Sequence, residues 1–558
     1  MNRLLVVLLA LAMAVGCAPS QPSGIAPGGS SQAPATLKRI VMGILDEPNL
    51  LQGGLSQRGG SEFQELAHAG LVQPGGEGDP IVQLAEAVPT TDNGLWQVFP
   101  DGSMRTTWTL REGALWQDGV PLTTDDLLFS AQVVRDDDVP IRKSPGYAAI
   151  VSINAVDART ISVDWKAPFI QADALFSRNL VQAMPKHLAE DAYNASKTTF
   201  LDLPLWKNEF VGAGPFKIKQ WEPGSLAVLS AFDSYVMGRP KLDEIEDRFF
   251  SDANVMVTSL LAGAIEITGG RGLTLADVST LTTQWRVGEV RYPQVGWIQM
   301  HPQFTNPDPP VIGDVRFRKA LMYAMDRQAM ADTLQFGLVG VAQPWLSPED
   351  PRFEAVKPSL VSYEYDPARA MQMIEGLGYT RVAEGLFQDK AGRPLSVEAR
   401  SIPSDLYQSA MLAVANYWQK SGVGVTTVPI PAQRTTDIAY RATRPGFEVL
   451  QQPTDPQNLS LFRIANVPRP ENNYRGPTGP NYMDKDYDDL VGKYFATIPA
   501  AERTQVLAQI LHQVSDQLIL MPLFYTTEPS AVSTRIRGVP VKKPLNVTTW
   551  NAAQWDIA

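Results

Sequence analysis

The segment WTLREGALWQDGVPLTTDDLLFSAQ, residues 108–132, decides the fold, because its residue types specify a strand end, a turn and a capped helix in direct succession. From residue 104 onward, small or apolar side chains alternate with polar ones, which predicts a half-buried strand. The side chains on the predicted buried face are Met104, Thr106, Trp108 and Leu110.

A turn and a helix follow that strand. Gly119 after Asp118 favours a tight turn, since glycine tolerates positive φ and the Asp side chain can bond its own backbone. Thr123 or Thr124 is the predicted helix cap, and the two acids that follow favour the positive end of the helix dipole. Apolar residues then recur on one face, which predicts a helix with one buried side.

Helix and strand patterns continue to alternate through the second half of the chain. Asp366 marks one helix start, and Ser404 caps another helix that is followed by a strand from Val423. Residues 501–518 are predicted to be helical and residues 519–526 extended. The sequence therefore predicts an α/β fold.

Residues 108–132 resemble the signature region of family 5 of the extracytoplasmic solute-binding proteins, which serve ABC importers and include oligopeptide- and dipeptide-binding receptors. Four further segments are similar to that family in the expected order, at residues 211–245, 259–267, 314–327 and 365–379. The resemblance implies a two-lobed periplasmic-binding-protein fold, type II and cluster C-like, with an extra inserted domain. The chain length also favours more than one lobe, since it exceeds what one core normally organises.

The same resemblance implies how the chain is divided. Residues 1–16 are expected to be a signal peptide and residues 17–36 a lipid-anchored flexible linker. The expected domains are lobe I in three pieces (37–60, 208–300 and 521–558), an inserted domain II (61–207) and lobe III (301–520).

The amino terminus predicts export. Arg3 precedes an apolar run of 12 residues, 4–15, which is too short to span a bilayer comfortably and favours a cleaved signal. Cys17, the only cysteine, resembles the lipid attachment site of a bacterial lipoprotein, although Ala14 stands where Leu is usual. Ordinary signal cleavage beside an incidental cysteine is the alternative. Residues 18–36 are uncharged and rich in Pro, Gly, Ser and Ala, which is typical of a flexible linker.

Composition limits the partners. The net charge of −11 and the pI near 5.1 argue against binding to nucleic acid or attraction to anionic lipid. We expect a monomer that is tethered through Cys17 to the cell envelope, in the periplasm or on the outer face of the cytoplasmic membrane. Its expected partners are an ABC permease and ATPase complex.

Signals for catalysis or for a metal centre are weak. The four histidines are scattered singly, and no HExxH, GxSxG or GxxxxGK[ST] motif is present. Residues 212–215, GAGP, are predicted to form a turn, because Pro215 and the strand-like residues after it exclude a phosphate-binding helix. The acidic clusters at 136–138 and 243–247 are predicted to be solvated surface. No metal, cofactor or catalytic residue is expected.

Three ligand contacts are expected from the resemblance. Trp297 lies in a segment where the family places a hinge strand that carries an aromatic of the site, followed here by His301 where the family usually has Asn. Glu47 matches an early acidic position that borders the ligand in peptide receptors. Tyr147 matches an aromatic that domain II offers to the cleft. Core packing for Trp297, a turn role for Glu47 and local packing for Tyr147 are the alternatives.

The segment FEVLQQPTDP, residues 447–456, departs most from peptide receptors of the family. Those receptors carry an Asp four residues before the Pro to pair with the peptide ammonium, and this chain has Gln452 there. Gln451 and Gln452 are the predicted ligand contacts, and Asp455 is an alternative anchor. A neutral amide lacks the charge-assisted part of such a bond, so a neutral ligand competes with a peptide.

The predicted function is an extracytoplasmic solute-binding lipoprotein that captures a peptide or other small solute between two lobes and delivers it to an ABC importer. An oligosaccharide receptor of the same family is the first alternative. A secreted lipoprotein glycosidase that uses paired carboxylates is the second alternative, and a test for turnover separates it from a receptor. The sequence does not decide between these ligands.

Overall fold

The strand and helix predicted around residues 104–135 are both present in the computed structural model. Met104–Thr109 is a strand whose inward residues are buried, as the alternation predicted. The helix Thr124–Arg135 begins after Thr123, whose backbone N–H donates to the Asp126 side chain at 2.9 Å. Leu127 and Val134 are buried on one face of this helix. The local prediction is therefore confirmed.

The structure describes residues 37–49, 51, 60–75, 80–139, 145–270, 272–382, 385–542 and 546–558. Residues 38–558 form one unit, and residues 1–37 are a separate unit of which only Leu37 is described. Cys17 and the predicted signal peptide and linker thus lie outside the described residues. Among the helices described, none combines the length and the apolar character that crossing a membrane would require.

One sheet has seven strands. Its two parallel pairs join Arg39–Leu45 to Glu244–Phe250 on one side and to Ile267–Gly269 on the other. The remaining pairs are antiparallel. In spatial order the strands are Gly288–Arg291, Ser530–Ser533, Ile267–Gly269, Arg39–Leu45, Glu244–Phe250, Leu226–Ala231 and Phe216–Glu222.

A second sheet has five strands. Ser396–Ser401 runs parallel to both of its neighbours, and the other two pairs are antiparallel. Its core includes the fully buried Ile298, Met300 and Phe524. In spatial order the strands are Gly424–Pro429, Ser396–Ser401, Phe447–Pro453, Gln294–Pro302 and Met521–Thr527.

The predicted domain II contains a four-stranded antiparallel sheet, whose strands in spatial order are Trp96–Val98, Met104–Thr109, Thr160–Trp165 and Ile150–Ala155. Three short antiparallel pairs complete the strands: Val72–Pro74 with Pro80–Val82, Thr380–Arg381 with Phe387–Gln388, and Ile536–Arg537 with Asp556–Ile557.

Helices surround the sheets. The α-helices are Gly60–Ala67, Thr124–Arg135, Pro145–Ala149, Lys186–Ala195, Ala253–Leu261, Leu275–Gln284, Val315–Tyr323, Arg327–Leu334, Phe353–Val356, Pro367–Gly376, Asp405–Lys420, Ile438–Ala442, Lys485–Ala496 and Ala500–Gln517. Short 3₁₀ helices are Ala172–Ala174, Arg178–Leu180, Phe200–Asp202, Pro204–Trp206, Pro310–Gly313, Lys357–Ser359, Ala432–Arg434, Pro456–Phe462, Ile464–Asn466, Pro470–Asn472 and Thr548–Gln554. The helices predicted after Asp366, after Ser404 and over residues 501–518 are confirmed.

The chain crosses between the two large sheets at two short connections. Gly288–Arg291 belongs to the seven-stranded sheet, and after two intervening residues Gln294–Pro302 begins in the five-stranded sheet. Met521–Thr527 belongs to the five-stranded sheet, and Ser530–Ser533 returns to the seven-stranded sheet. The predicted lobe boundary near 300 falls within the strand Gln294–Pro302, and the boundary near 520 falls at the start of the strand Met521–Thr527. These two strands pair with each other in the five-stranded sheet. In each crossing, only two residues connect the end of a strand in one sheet to the start of a strand in the other sheet.

The GAGP segment forms a turn that leads into the strand Phe216–Glu222, as predicted. No partner for this turn was predicted, and the structure supplies one. A Cβ atom at Gly212 would lie 2.0 Å from the carbonyl oxygen of Ala67, and one at Gly214 would lie 2.4 Å from the backbone nitrogen of His68. Glycine is therefore required because the turn packs directly on the end of the helix Gly60–Ala67.

The prediction that the acidic cluster at 243–247 is solvated surface is wrong for most of the cluster. Glu244, Glu246 and Asp247 are buried, because this segment is a strand inside the seven-stranded sheet. Glu244 forms ion pairs with Arg39 and Lys219. Glu246 forms ion pairs with Arg39 and Arg248. Strand alternation turns Asp247 to the opposite, core-facing side, where it is fully buried. The acidic residues of this segment indicated exposed surface, and for that reason the buried strand was not predicted.

Candidate functional site

A cavity of about 830 Å³ lies where the two large sheets meet. On one side it is lined by the carboxyl ends of the parallel strands Arg39–Leu45 and Ile267–Gly269. On the other side it is lined by Val295, Thr527 and Glu528, which flank the two crossings. We call it the inter-sheet cavity. Open α/β sheets bind ligands outside the carboxyl ends of their strands, and this cavity has that position.

Two neutral polar side chains lie at the wall of the inter-sheet cavity. Gln451 lines it, and its Nε2 donates to Thr526 Oγ1 at 3.1 Å, which fixes the direction of the amide. The Thr527 side-chain oxygen is buried at the cavity and has no hydrogen bond to any described residue. A buried hydroxyl of this kind gains from a polar partner, which a solute can provide.

Glu62 is the most strongly bonded acid in this cavity. Its carboxylate accepts hydrogen bonds from the backbone N–H groups of Gly270 at 2.9 Å and of Thr548 and Thr549 at 3.0 Å each. Charge-assisted bonds to an anion are roughly twice as strong as neutral ones. Glu62 thus joins three separated pieces of chain at the cavity wall, and its charge is already satisfied.

The second ionic group of the inter-sheet cavity is a pair. Lys542 Nζ lies 3.2 Å from Glu528 Oε2, and both side chains are largely buried. Glu528 directly follows the crossing strand Met521–Thr527, and Lys542 comes from further along the chain. The acids Glu62 and Glu528 therefore have partners, while the exposed Asp46 adds a further acid to the lining beside amide, hydroxyl and apolar groups.

A second, smaller cavity of about 270 Å³ lies between the predicted domain II and the predicted lobe III. Domain II lines it with residues of the segment 170–180, and lobe III lines it with Asp455, Arg352 and Arg503. We call it the Asp455 cavity. Asp455 caps the 3₁₀ helix Pro456–Phe462, and its Oδ1 accepts from Gln457 N at 2.9 Å.

Among the described residues, some charged side chains that line the Asp455 cavity have an ion-pair partner and others have none. Arg352 binds Asp350 through two hydrogen bonds of 2.9 and 2.7 Å, so that pair is neutral as a unit. Asp455 forms no ion pair with a described residue, and burial raises the pKa of its carboxyl, although Arg352 opposes that shift. Arg503 donates from Nη1 to the carbonyl oxygens of Thr497 and Ile498 and forms no ion pair with a described residue.

Two hydrogen bonds connect the walls of the Asp455 cavity. Gln171 Nε2 donates to Gln457 Oε1 at 2.6 Å, and Ile170 N donates to the carbonyl oxygen of Phe495 at 3.3 Å. Ile170 also packs against the apolar cluster of lobe III that includes Tyr494. The predicted domain II and lobe III are therefore in direct contact in this structure.

Trp297 and Gln452, two predicted contacts, are partners on adjacent strands. Trp297 is fully buried, donates from Nε1 to the Pro453 carbonyl at 3.3 Å and packs edge-on against Trp345. A Cβ atom at Gly296 would lie 2.6 Å from the Gln452 carbonyl oxygen, so this close pairing needs glycine. Gln451, beside Gln452, reaches the inter-sheet cavity. Ligand contact by these residues stays a prediction.

Glu47 and Tyr147 are each bonded within the protein. Glu47 accepts from Trp221 Nε1 at 2.6 Å and from Gly224 N at 2.8 Å. Tyr147 is buried, with its hydroxyl donating to the Val181 carbonyl at 3.4 Å and its ring edge-on to Phe176. Neither residue is among those that line the two cavities. Their contact with a ligand also stays a prediction.

The two fully buried histidines have structural surroundings. His68 Nδ1 accepts from Ala213 N at 3.2 Å and its Nε2 lies 2.9 Å from the Ala183 carbonyl, while burial lowers its pKa to about 4. His301 packs edge-on against Phe462, and burial together with nearby arginines holds its pKa well below the usual value. Among the described residues, no group of three or more His, Cys, Asp or Glu could hold a metal ion.

Two sheets joined by two short crossings, with a cavity between them, form a two-lobed fold. Solved structures agree: an oligopeptide-binding protein from Thermotoga maritima superposes with a TM-score of 0.76 at 18% identity, over 93% of this chain and 99% of that one. NikA from Brucella suis in complex with Fe(III)-EDTA gives 0.74 at 17% identity, over 93% and 100%. The predicted fold class is confirmed.

Residues 86–460 match the family described as bacterial extracellular solute-binding proteins, family 5, and the chain belongs to this family. The oligopeptide-binding protein AppA of Bacillus subtilis is 24% identical over 443 residues, 76% of this chain and 75% of AppA. The dipeptide-binding protein of Escherichia coli is 23% identical over 475 residues, covering 80% and 82%. The chain is therefore an extracellular solute-binding protein of family 5, as the resemblance implied.

Sequence reasoning missed several residues of the two cavities. Glu62 belongs to no motif, because its three donors come from residues more than 200 positions away. Thr527 directly follows the predicted extended segment 519–526 and ends the observed strand Met521–Thr527, and that position was the only available signal. Arg503 lies in a helix whose exposed face looked ordinary in the sequence. All three depend on contacts between distant pieces of chain.

Proposed function

We propose that this protein captures a peptide or another small polar solute in the inter-sheet cavity and delivers it to an ABC importer. The observation that carries the proposal is the position of the cavity at the two crossings between sheets. Motion about those short connections would open or close the cavity, so that solute binding and closure are linked. The importer would then recognise the closed form.

The lining favours recognition by hydrogen bonds over recognition by charge. The Gln451 amide and the Thr527 hydroxyl can bond peptide groups or sugar hydroxyls, whereas Glu62 and Glu528 already have partners and the exposed Asp46 is one acid at the rim of the lining. A peptide main chain presents such neutral groups, and so does an oligosaccharide. The names of the relatives favour peptide. Ligand contact by Gln452, Trp297, Glu47 and Tyr147 is proposed from the family resemblance.

We further propose that the chain acts as a receptor without turnover and as a monomer. The mature protein would begin at a lipidated Cys17, which would hold it at the outer face of a membrane. Intact-mass analysis of the membrane fraction tests this. A Cys17→Ala variant that stays membrane-bound as strongly as the native protein would contradict the tether.

The experiment for the proposed function is mass spectrometry of the solute that co-purifies with the protein, followed by calorimetry with that solute. Gln451→Ala and Thr527→Val should each weaken binding by about 1 kcal/mol, roughly fivefold. An exposed control, Gln419→Ala, should bind as the native protein does. Equal affinity in all three variants, or chemical conversion of the solute, would contradict the proposal.

A further inference from the structure

The Gln451 side chain passes across one strand of the five-stranded sheet and bonds the next strand. Gln451 belongs to the strand Phe447–Pro453. Thr526 belongs to the strand Met521–Thr527, and the strand Gln294–Pro302 lies between the two. Gln451 Nε2 donates to Thr526 Oγ1 at 3.1 Å. Because neighbouring strands lie about 4.8 Å apart, this one hydrogen bond joins strands whose backbones are separated by roughly 10 Å.

Gly296 leaves the space through which this side chain passes. It pairs with Thr526 on one neighbouring strand and with Pro453 on the other. A Cβ atom at Gly296 would lie 2.8 Å from Gln451 Nε2, which is too close for packed atoms. A glycine inside a strand often marks a close approach of this kind. Any larger residue at this position would push the amide nitrogen away from Thr526.

Thr526 can influence the inter-sheet cavity only indirectly. Its side chain is buried and is not among those that line the cavity, whereas Gln451 is. The Tyr407 hydroxyl approaches the same amide from the helix Asp405–Lys420 and lies 3.5 Å from Gln451 Oε1. The amide nitrogen and the amide oxygen thus have different partners. One orientation of the amide is therefore favoured over the flipped one.

A second glutamine holds the next residue of the same strand. Gln335 is buried, and its Oε1 accepts from Thr527 N at 3.1 Å. Thr526 and Thr527 are the last two residues of their strand, directly before the second crossing. Side chains of a binding site are most precise when hydrogen bonds from neighbouring elements fix them. Gln451 is thus attached to a part of the strand that is itself held in place.

We propose that Thr526 is a positioning residue, which holds the Gln451 amide in the orientation that bonds the solute. This inference rests on the proposed function, because Gln451 is a solute contact there. An amide that is already oriented loses less conformational entropy on binding than one that rotates freely. Removal of the Thr526 acceptor should therefore weaken solute binding, although no group that touches the solute is lost.

The test is a double-mutant cycle, measured by calorimetry with the co-purifying solute. Thr526→Val replaces the hydroxyl by a methyl group and should weaken binding by about fivefold. In the Gln451→Ala background the same change should cost less than about 1.5-fold, because the amide that Thr526 positions is gone. Thr526→Ser keeps the hydroxyl and should bind within about twofold of the native protein.

Thr106→Val is the matched control. Thr106 is also buried, and its Oγ1 accepts from Trp165 Nε1 at 2.9 Å in the sheet of the predicted domain II. This variant should lose stability much as Thr526→Val does, because each leaves one buried donor without its acceptor, yet it should keep the native affinity. Thr526→Ala removes the same acceptor as Thr526→Val and should reproduce its loss of affinity.

Native affinity in Thr526→Val and Thr526→Ala would overturn the positioning role. A loss that persists at full size in the Gln451→Ala background would also overturn it, because Thr526 would then act by another route. In both cases the native protein still binds and closes on its solute, so the proposed function stands. If the native protein neither binds nor closes on the co-purifying solute, the proposed function fails and the positioning role falls with it.

Discussion

Gln171 and Gln457 are 286 residues apart in the chain, yet the amide of one donates to the amide of the other at 2.6 Å. This bond connects the predicted domain II to the predicted lobe III beside the Asp455 cavity. With the backbone bond between Ile170 and Phe495, it forms a contact that must break when the two parts separate. The contact therefore belongs to the closed arrangement.

Gln171→Ala should weaken binding of the co-purifying solute by about fivefold, because one hydrogen bond contributes about 1 kcal/mol to the closed state. Calorimetry measures the change. Gln457→Ala should have the same effect, and the double variant should be no weaker than either single variant, since both remove one bond. Additive losses would mean that the two side chains act through different contacts.

Gly214→Ala should lower the free energy of unfolding by more than about 3 kcal/mol, because the new methyl group would overlap backbone atoms of Ala67 and His68. Urea denaturation followed by tryptophan fluorescence gives this value. Gly340→Ala is the control, since a Cβ atom there meets nothing within 4 Å, and it should change stability by less than about 1 kcal/mol. Equal effects would contradict the packing role of the turn.

Local patterns predicted the elements of this fold well. The strand Met104–Thr109 and the helix Thr124–Arg135 follow from alternation and capping, both of which are written in neighbouring residues. The strand Glu244–Phe250 was missed as a buried element, because its acids are satisfied by Arg39 and Lys219 from other parts of the chain. Cationic partners supplied by distant residues cannot be read from a local sequence.

The site was less predictable than the fold for the same reason. Gln451 was predicted from its position and does line the inter-sheet cavity. Glu62 gave no signal, since the segments that it joins have no sequence relation to one another. The family resemblance supplied the lobes and the general position of the cleft, whereas the charges that line each cavity required the structure.

Glu62→Gln should lower the free energy of unfolding by about 2–3 kcal/mol, because the new amide places an N–H group against backbone donors that now bond a carboxylate. Thermal or urea unfolding shows the loss. Glu209→Gln, at an exposed position, should change stability by less than about 0.5 kcal/mol. A native-like stability for Glu62→Gln would mean that these bonds contribute little.

Asp247 should make stability depend on pH. Both of its carboxylate oxygens are buried without a hydrogen bond to any described residue, and burial raises its pKa well above the usual value. The folded state then binds a proton that the unfolded state has released, so this group lowers stability as pH rises from the unfolded pKa of about 4 towards the folded pKa. The limiting slope for one group is about 1.4 kcal/mol per pH unit.

Asp247→Asn removes that titration. Its stability relative to the native protein should therefore improve as the pH is raised from 5 to 8 in a series of urea titrations. The exposed Asp233→Asn is a suitable control and should leave the pH profile unchanged. Parallel profiles for Asp247→Asn and the native protein would show that Asp247 does not hold its proton in the folded state.

Solution X-ray scattering tests the central claim, which is that solute capture and closure about the two crossings are one event. The protein is stripped of solute by unfolding, dialysis and refolding, and scattering is recorded before and after the co-purifying solute is returned. We expect the radius of gyration to fall on binding, and stability to rise by about 2.7 kcal/mol at a hundredfold excess over the dissociation constant. Tight binding with an unchanged scattering curve would contradict the account.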